Sequence, residues 1–121
     1  MSNINLQEKA VQAATRFCER KDYEILGTGW TSPEGTKVDL IADDEGCLVF
    51  IDVTAKEYGE GFMEDGKIAR SDFEVAAAAW LAAHPDEADV KVRFDLIDML
   101  VVSESRALLR HHINAFSCGV E

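Results

Sequence analysis

An α/β fold, a mixed sheet covered by helices, is the class that these 121 residues predict. Three observations predict it. A helical apolar period opens the chain, two apolar strands flank an acidic turn between 37 and 57, and a second helical stripe precedes a long apolar strand. The length suits one core and is short for two, so residues 1–121 read as a single domain.

Each element follows from local chemistry. From Asn5 to about Arg20, Leu6, Ala10, Ala13, Ala14 and Phe17 recur at helical spacing against a polar face. "YEILGTGW" reads as a strand broken by Gly27 and Gly29, and "SPEG" at 32–35 as a turn. In "KVDLIADDEGCLVFIDVTAKE", Asp43, Asp44, Glu45 and Gly46 suit a turn between two strands. Both strands are apolar on either face, which predicts central positions. A second helix is expected from roughly Glu64 to Ala83, ending before Pro85. Its stripe contains Ile68, Phe73, Ala76, Ala77, Trp80 and Leu81. "VKVRFDLIDMLVV" is a long strand, and Arg106 to Phe116 fits a short helix or an edge strand.

Within the apolar hairpin, each strand carries one carboxylate, Asp39 and Asp52. Alternation places Asp52 and Thr54 with Leu48 and Phe50, and Asp39 with Lys37 and Ile41. Pairing Ala42 with Cys47 across a four-residue turn puts Asp39 opposite Phe50 and Lys37 opposite Asp52. The two carboxylates then converge on one face. Such a pair repels unless a cation intervenes. The cation is either a hard ion such as Mg²⁺, which favours carboxylate and water oxygens, or the Lys37 ammonium across the strands.

Composition bounds the partners. Twelve basic and 23 acidic side chains give a formal net charge of −11. Phosphate binding draws on Lys and Arg, so the global field opposes avid nucleic-acid binding and favours a basic protein partner. No apolar run reaches the roughly 20 residues of a membrane span. The opening "MSNINLQEKA" lacks the layout of a signal peptide, and a cytoplasmic location is expected. Cys18, Cys47 and Cys118 form no CxxC pair and read as free thiols.

The segments "YEILGTGW", "KVDLIADDEGCLVFIDV", "KIARSDFEVAAAAWL", "VRFDLI" and "HHINAF", in that order, resemble the YraN family of small bacterial proteins over residues 7 to 117. The resemblance implies a restriction-endonuclease-like fold, a mixed central sheet flanked by helices. In that superfamily a strand aspartate and a (D/E)xK motif bind Mg²⁺ for phosphodiester hydrolysis. Carried onto this chain, Asp39 takes the metal-aspartate position and Asp52 the acidic position of the motif. The motif lysine is Thr54, and Lys37 stands where the family has a glutamate. The acidic position of the first helix falls at Val11, one turn after Glu8.

A threonine hydroxyl cannot supply the charge that stabilises a developing oxyanion. Lys56, on the same face if the strand continues, and Lys67 are substitute donors. The leading expectation is therefore a nuclease fold with an eroded centre that acts by binding a protein or, weakly, a nucleic acid. The alternatives are an active Mg²⁺-dependent nuclease using Asp39, Asp52 and Lys56, with Asp39 and Asp52 as metal ligands, and an acidic module for a basic partner.

Other candidates carry less. Lys67 and Arg70 suit phosphate contact or a salt-bridged helix surface. Adjacent His111 and His112 point apart and read as surface or partner-contact residues. His84 suits a helix C-terminus, and Trp80 and Phe73 read as core. No triad for Ser103 or Ser105 is legible in the sequence.

Overall fold

The computed structural model describes residues 4–57, 68–85, 91–103 and 106–114. Helix α1 spans Ile4–Arg20, strand β1 Glu24–Thr31, β2 Lys37–Asp44 and β3 Cys47–Glu57. Helix α2 spans Arg70–Ala83, β4 Lys91–Ser103 and β5 Arg106–His112. The expected start of α2, from Glu64, lies outside the described residues, as do Lys67, Ser105 and Cys118. The segment left open at 106–116 is an edge strand over its described part.

One five-stranded sheet runs in the order β1-β2-β3-β4-β5. Its pairs are antiparallel except β3–β4, which is parallel from Cys47↔Lys91 to Glu57↔Val101. A parallel pair needs a crossover connection, and α2 stands in it. Strands β2 and β3 lie inside the sheet, as their two-sided apolar character requires. Side-chain alternation then splits the core in two. Leu40, Ala42, Val49, Ile51, Val53, Ile97 and Met99 pack under Ala10, Ala14 and Cys18 of α1. Ile41, Leu48 and Phe50 pack with Phe73, Ala76, Ala77 and Trp80 of α2. This mixed sheet between helices is the restriction-endonuclease-like arrangement.

Small side chains on both helices allow close approach to the sheet. The buried line of α1 is Ala10, Ala14 and Cys18, at a spacing of one helical turn. Burial pushes the Cys18 thiol up to about 11, with the neighbouring Asp95 charge adding to it, so the side chain behaves as a small hydrophobe. Trp30 and Trp80 meet edge to face at 5.3 Å, and Phe73 stacks on Phe94 at 4.9 Å. His84 ends α2, with Nδ1–H donating to the Trp80 carbonyl at 2.8 Å.

The hairpin register differs from the expected one. Asp44 pairs with Cys47, Ala42 with Val49 and Ile41 with Phe50. The turn contains two residues, Glu45 at φ 54° and Gly46 at φ 91°. Both angles are positive, the type I′ geometry whose twist matches the flanking strands, and Gly46 N–H donates to Asp43 Oδ1 at 2.8 Å. The shift removes the predicted Lys37–Asp52 opposition. Lys37 is exposed, pairs with Thr31 on β1, and carries its Cε over Gly29. A Cβ at Gly46 meets no neighbour within 4 Å, so Gly46→Ala carries only the conformational cost. We expect about 1–2 kcal/mol of destabilisation in urea unfolding, with no change in unfolding cooperativity.

Candidate functional site

The β2–β3 ladder ends at Leu40↔Ile51, and Asp39 and Asp52 follow one step beyond that rung. There a side chain takes over from the main chain. Asp39 Oδ2 accepts the Val53 N–H at 2.9 Å, and Asp52 Oδ2 accepts the Ile68 N–H at 3.1 Å. Asp52 thus holds the segment that leads into α2. Both residues are buried, at 3% and 1% exposure. The observed register places the two predicted aspartates at the same level, one step beyond Leu40↔Ile51, and not opposite Phe50 and Lys37.

Thr54 stands on the same face as Asp52, beside Asp98 in the parallel register. Its hydroxyl donates to Asp98 Oδ1 at 2.7 Å, and both residues are buried. Strand β5 delivers two more groups to this carboxylate. Arg110 Nη2 donates to Asp98 Oδ2 at 3.4 Å, and His112 Nε2 lies 3.1 Å from the same oxygen. Sequence reasoning did not single out Asp98, Arg110 or His112 as a cluster. The available signal was the one used for Asp39 and Asp52, a carboxylate inside an apolar strand, here in "RFDLIDML".

Other predicted residues lie elsewhere. Strand β3 does continue through Lys56, which is half-buried beside Leu100. Four steps along the strand separate it from Asp52, about 13 Å between Cα atoms. Arg70 opens α2, exposed, and pairs with Glu74 at 3.1 Å. Among the described residues, no three His, Cys, Asp or Glu side chains gather where a metal ion could be held.

The opposite face of β4 carries a second network around Asp95, which is fully buried. Arg93 donates to both its oxygens, at 2.9 and 3.0 Å, and also reaches Asp44 at 3.0 Å and the Tyr23 hydroxyl at 2.8 Å. His111 Nε2 lies 2.8 Å from Asp95 Oδ2, and the Asn114 N–H donates to Oδ1 at 2.8 Å. The Lys21 ammonium, a donor only, sits 3.3 Å from His111 Nδ1. That nitrogen therefore accepts, and the neutral ring carries its proton on Nε2. Burial alone would raise the Asp95 carboxyl. The bonds from His111, Arg93 and Asn114, with the Arg93 charge, outweigh it and hold the group below its ordinary value.

The two adjacent histidines thus straddle β4, one on each face and each on its own aspartate. This corrects their expected reading as surface residues for His111, whose side chain is 5% exposed.

Residues 10–99 match the family described as "Uncharacterised protein family UPF0102". The chain belongs to this family, the YraN family. A UPF0102 protein of Bradyrhizobium sp. (strain ORS 278) is 37% identical over 104 residues, covering 82% of this chain and 67% of its own. One from Rhodopseudomonas palustris (strain BisA53) is 33% identical over 111 residues, covering 88% and 78%. Another from Geobacter sulfurreducens is 30% identical over 106 residues, covering 85% and 81%. The residues that match the family, 10–99, run from within α1 to within β4. Among the described residues, no helix of this UPF0102 chain is long and apolar enough to cross a membrane.

Proposed function

We propose that this UPF0102 protein is a nuclease-fold binding protein whose hydrolytic centre is dismantled. One observation carries the reading. The position of the motif lysine holds Thr54, whose hydroxyl is bonded to a buried carboxylate, Asp98. A neutral group committed to an anion offers a phosphate no positive charge, and such charge stabilises the transition state of phosphoryl chemistry.

The metal requirement points the same way. Asp39 and Asp52 supply two carboxylates, and Mg²⁺ can be held by as few as one or two with water and phosphate oxygens. Here each is buried and turned onto a backbone N–H. Through Oδ2 of each, the pair ties β2 to β3 and β3 to the start of α2, and the reading takes this structural use as their role. Lys56 stands about 13 Å along β3 from Asp52 between Cα atoms, and the reading gives it no part in that pair. The net charge of −11 favours a partner with basic groups over a long polyanion.

Calorimetry with Mg²⁺ and Mn²⁺, run beside a plasmid-cleavage assay, tests this. We expect no saturable metal binding that Asp39→Ala/Asp52→Ala removes, and no metal-dependent cleavage by the wild type. Metal binding lost in the double variant, together with cleavage abolished by Asp39→Ala, would establish the active-nuclease reading instead.

A further inference from the structure

We propose that Phe17, Tyr23 and His111 form a seat for an ammonium group, taken in this structure by Lys21 of the chain itself and shared with a lysine of a basic protein partner. This deepens the binding reading above and rests on it. The seat is built where α1 ends. Asp22 takes a left-handed φ of 69°, and the Tyr23 N–H returns to the Cys18 carbonyl at 3.0 Å. That reversal brings Tyr23 back beside the last turn of the helix, where β5 delivers His111. The His111 ring meets Phe17 edge to face at 5.6 Å and Tyr23 at 6.3 Å.

The present occupant shows what chemistry the seat accepts. Lys21 Nζ lies 5.2 Å from the Phe17 ring centroid, 5.8 Å from that of Tyr23 and 3.3 Å from His111 Nδ1. Both ring distances fall within the roughly 6 Å over which a cation is attracted to an aromatic face. The chain has 23 acidic side chains, yet among the described residues Lys21 contacts these rings and no carboxylate. Beyond the rings, Asp44 and Asp95 share one guanidinium, Arg93, which itself lies 5.7 Å from the Tyr23 centroid.

The walls are fixed by the fold and the occupant is not. Tyr23 and His111 are buried and Phe17 is half-buried, whereas Lys21 is exposed on a flexible stem. An incoming lysine displaces a side chain that water already reaches. Charge around the rim favours such a visitor. Glu19, Asp22 and Glu24 are exposed, and Glu24 stands opposite Asp43 across β1 and β2, a like-charge pair that a partner's cations relieve.

The test is an NMR titration of the aromatic-ring resonances of the full chain, at constant ionic strength with EDTA. The probe is Nα-acetyl-lysine N-methylamide, with the norleucine analogue as its uncharged control. In Lys21→Ala we expect saturable shifts at Phe17, Tyr23 and His111 with the lysine probe alone. The wild type should bind about tenfold more weakly, because its own Lys21 competes as a tethered group. Phe17→Leu in the Lys21→Ala background keeps the apolar bulk, removes one aromatic face and should weaken binding about fivefold.

Absence of saturation in Lys21→Ala, or equal binding by the wild type, would overturn the proposal. Equal binding of the norleucine analogue would also overturn it, since the seat would then select apolar bulk and not charge. The comparison of Lys21→Ala with the wild type decides the matter even if the Phe17→Leu variant misfolds. Because neither metal nor nucleic acid is present, the outcome is independent of whether the chain cleaves DNA.

Discussion

Asp95→Asn should lower the unfolding free energy by about 3 kcal/mol and make stability less sensitive to acid. The side chain has no solvent exposure, and three neighbours donate to it: Arg93, His111 and the Asn114 N–H. Removing its charge leaves Arg93 largely desolvated with Asp44 as its remaining carboxylate, which places the cost toward the low end for a broken buried pair. An amide also turns one acceptor into a donor facing other donors. The Asp98 cluster would lose less on the same change, because Arg110 and His112 are half exposed and can turn to water.

The pH dependence follows from the direction of the Asp95 shift. Its folded value is depressed, so its contribution is complete above the unfolded value, about 3.9, and is lost as pH falls through the folded value. Urea unfolding of wild type and variant should differ by a constant amount from neutral pH to about pH 5. The difference should shrink at lower pH. A difference unchanged by acid would mean that Asp95 stabilises by packing alone.

Phe50→Ala should cost about 3–5 kcal/mol, the largest expected loss on the α2 side of the sheet. Phe50 is fully buried in the middle of β3. Its ring meets Trp80 edge to face at 6.4 Å and Phe94 at 6.1 Å, so truncation opens a cavity beneath α2. Of the rings around it, Trp80 is carried by α2 and Phe94 by β4, which limits collapse into the gap. Denaturant unfolding followed by Trp fluorescence measures both the loss and its location, since Trp80 lies against Phe50 and Trp30 against Trp80. A loss below about 1 kcal/mol would mean that α2 closes over the gap.

Much of the fold was legible because it is written at short range. The helical spacing of Ala10, Ala14 and Phe17, and the stripe of Phe73, Ala76, Ala77 and Trp80, each need only a few consecutive turns to read. The two-sided apolar character of 38–42 and 48–53 correctly placed β2 and β3 inside the sheet. The hairpin register was misjudged for a local reason. Glu45 adopts a positive φ that non-glycine residues seldom take, which shortens the turn from four residues to two. That change moved Lys37 away from Asp52 and placed both aspartates at the parting of β2 and β3.

Asp98 and its partners were illegible for a different reason. Thr54, Asp98, Arg110 and His112 are brought together by the parallel β3–β4 pairing and the antiparallel β4–β5 pairing. Local periodicity carries no information about which strands become neighbours. Residues 106–116 were ambiguous between helix and strand, and only the strand lets His111 and His112 take opposite faces of β4.

The sequence by itself determined the α/β class, the central hairpin, the two covering helices and the absence of a lysine at position 54. These depend on residue type and spacing along the chain. Tertiary structure alone decided that Asp39 and Asp52 are turned onto backbone N–H groups, and that Thr54 is bonded to Asp98. It also decided which of two adjacent histidines is buried and which faces solvent. The physical reason is that a carboxylate's role is set by the donors that reach it, and across a sheet those donors come from strands distant in sequence.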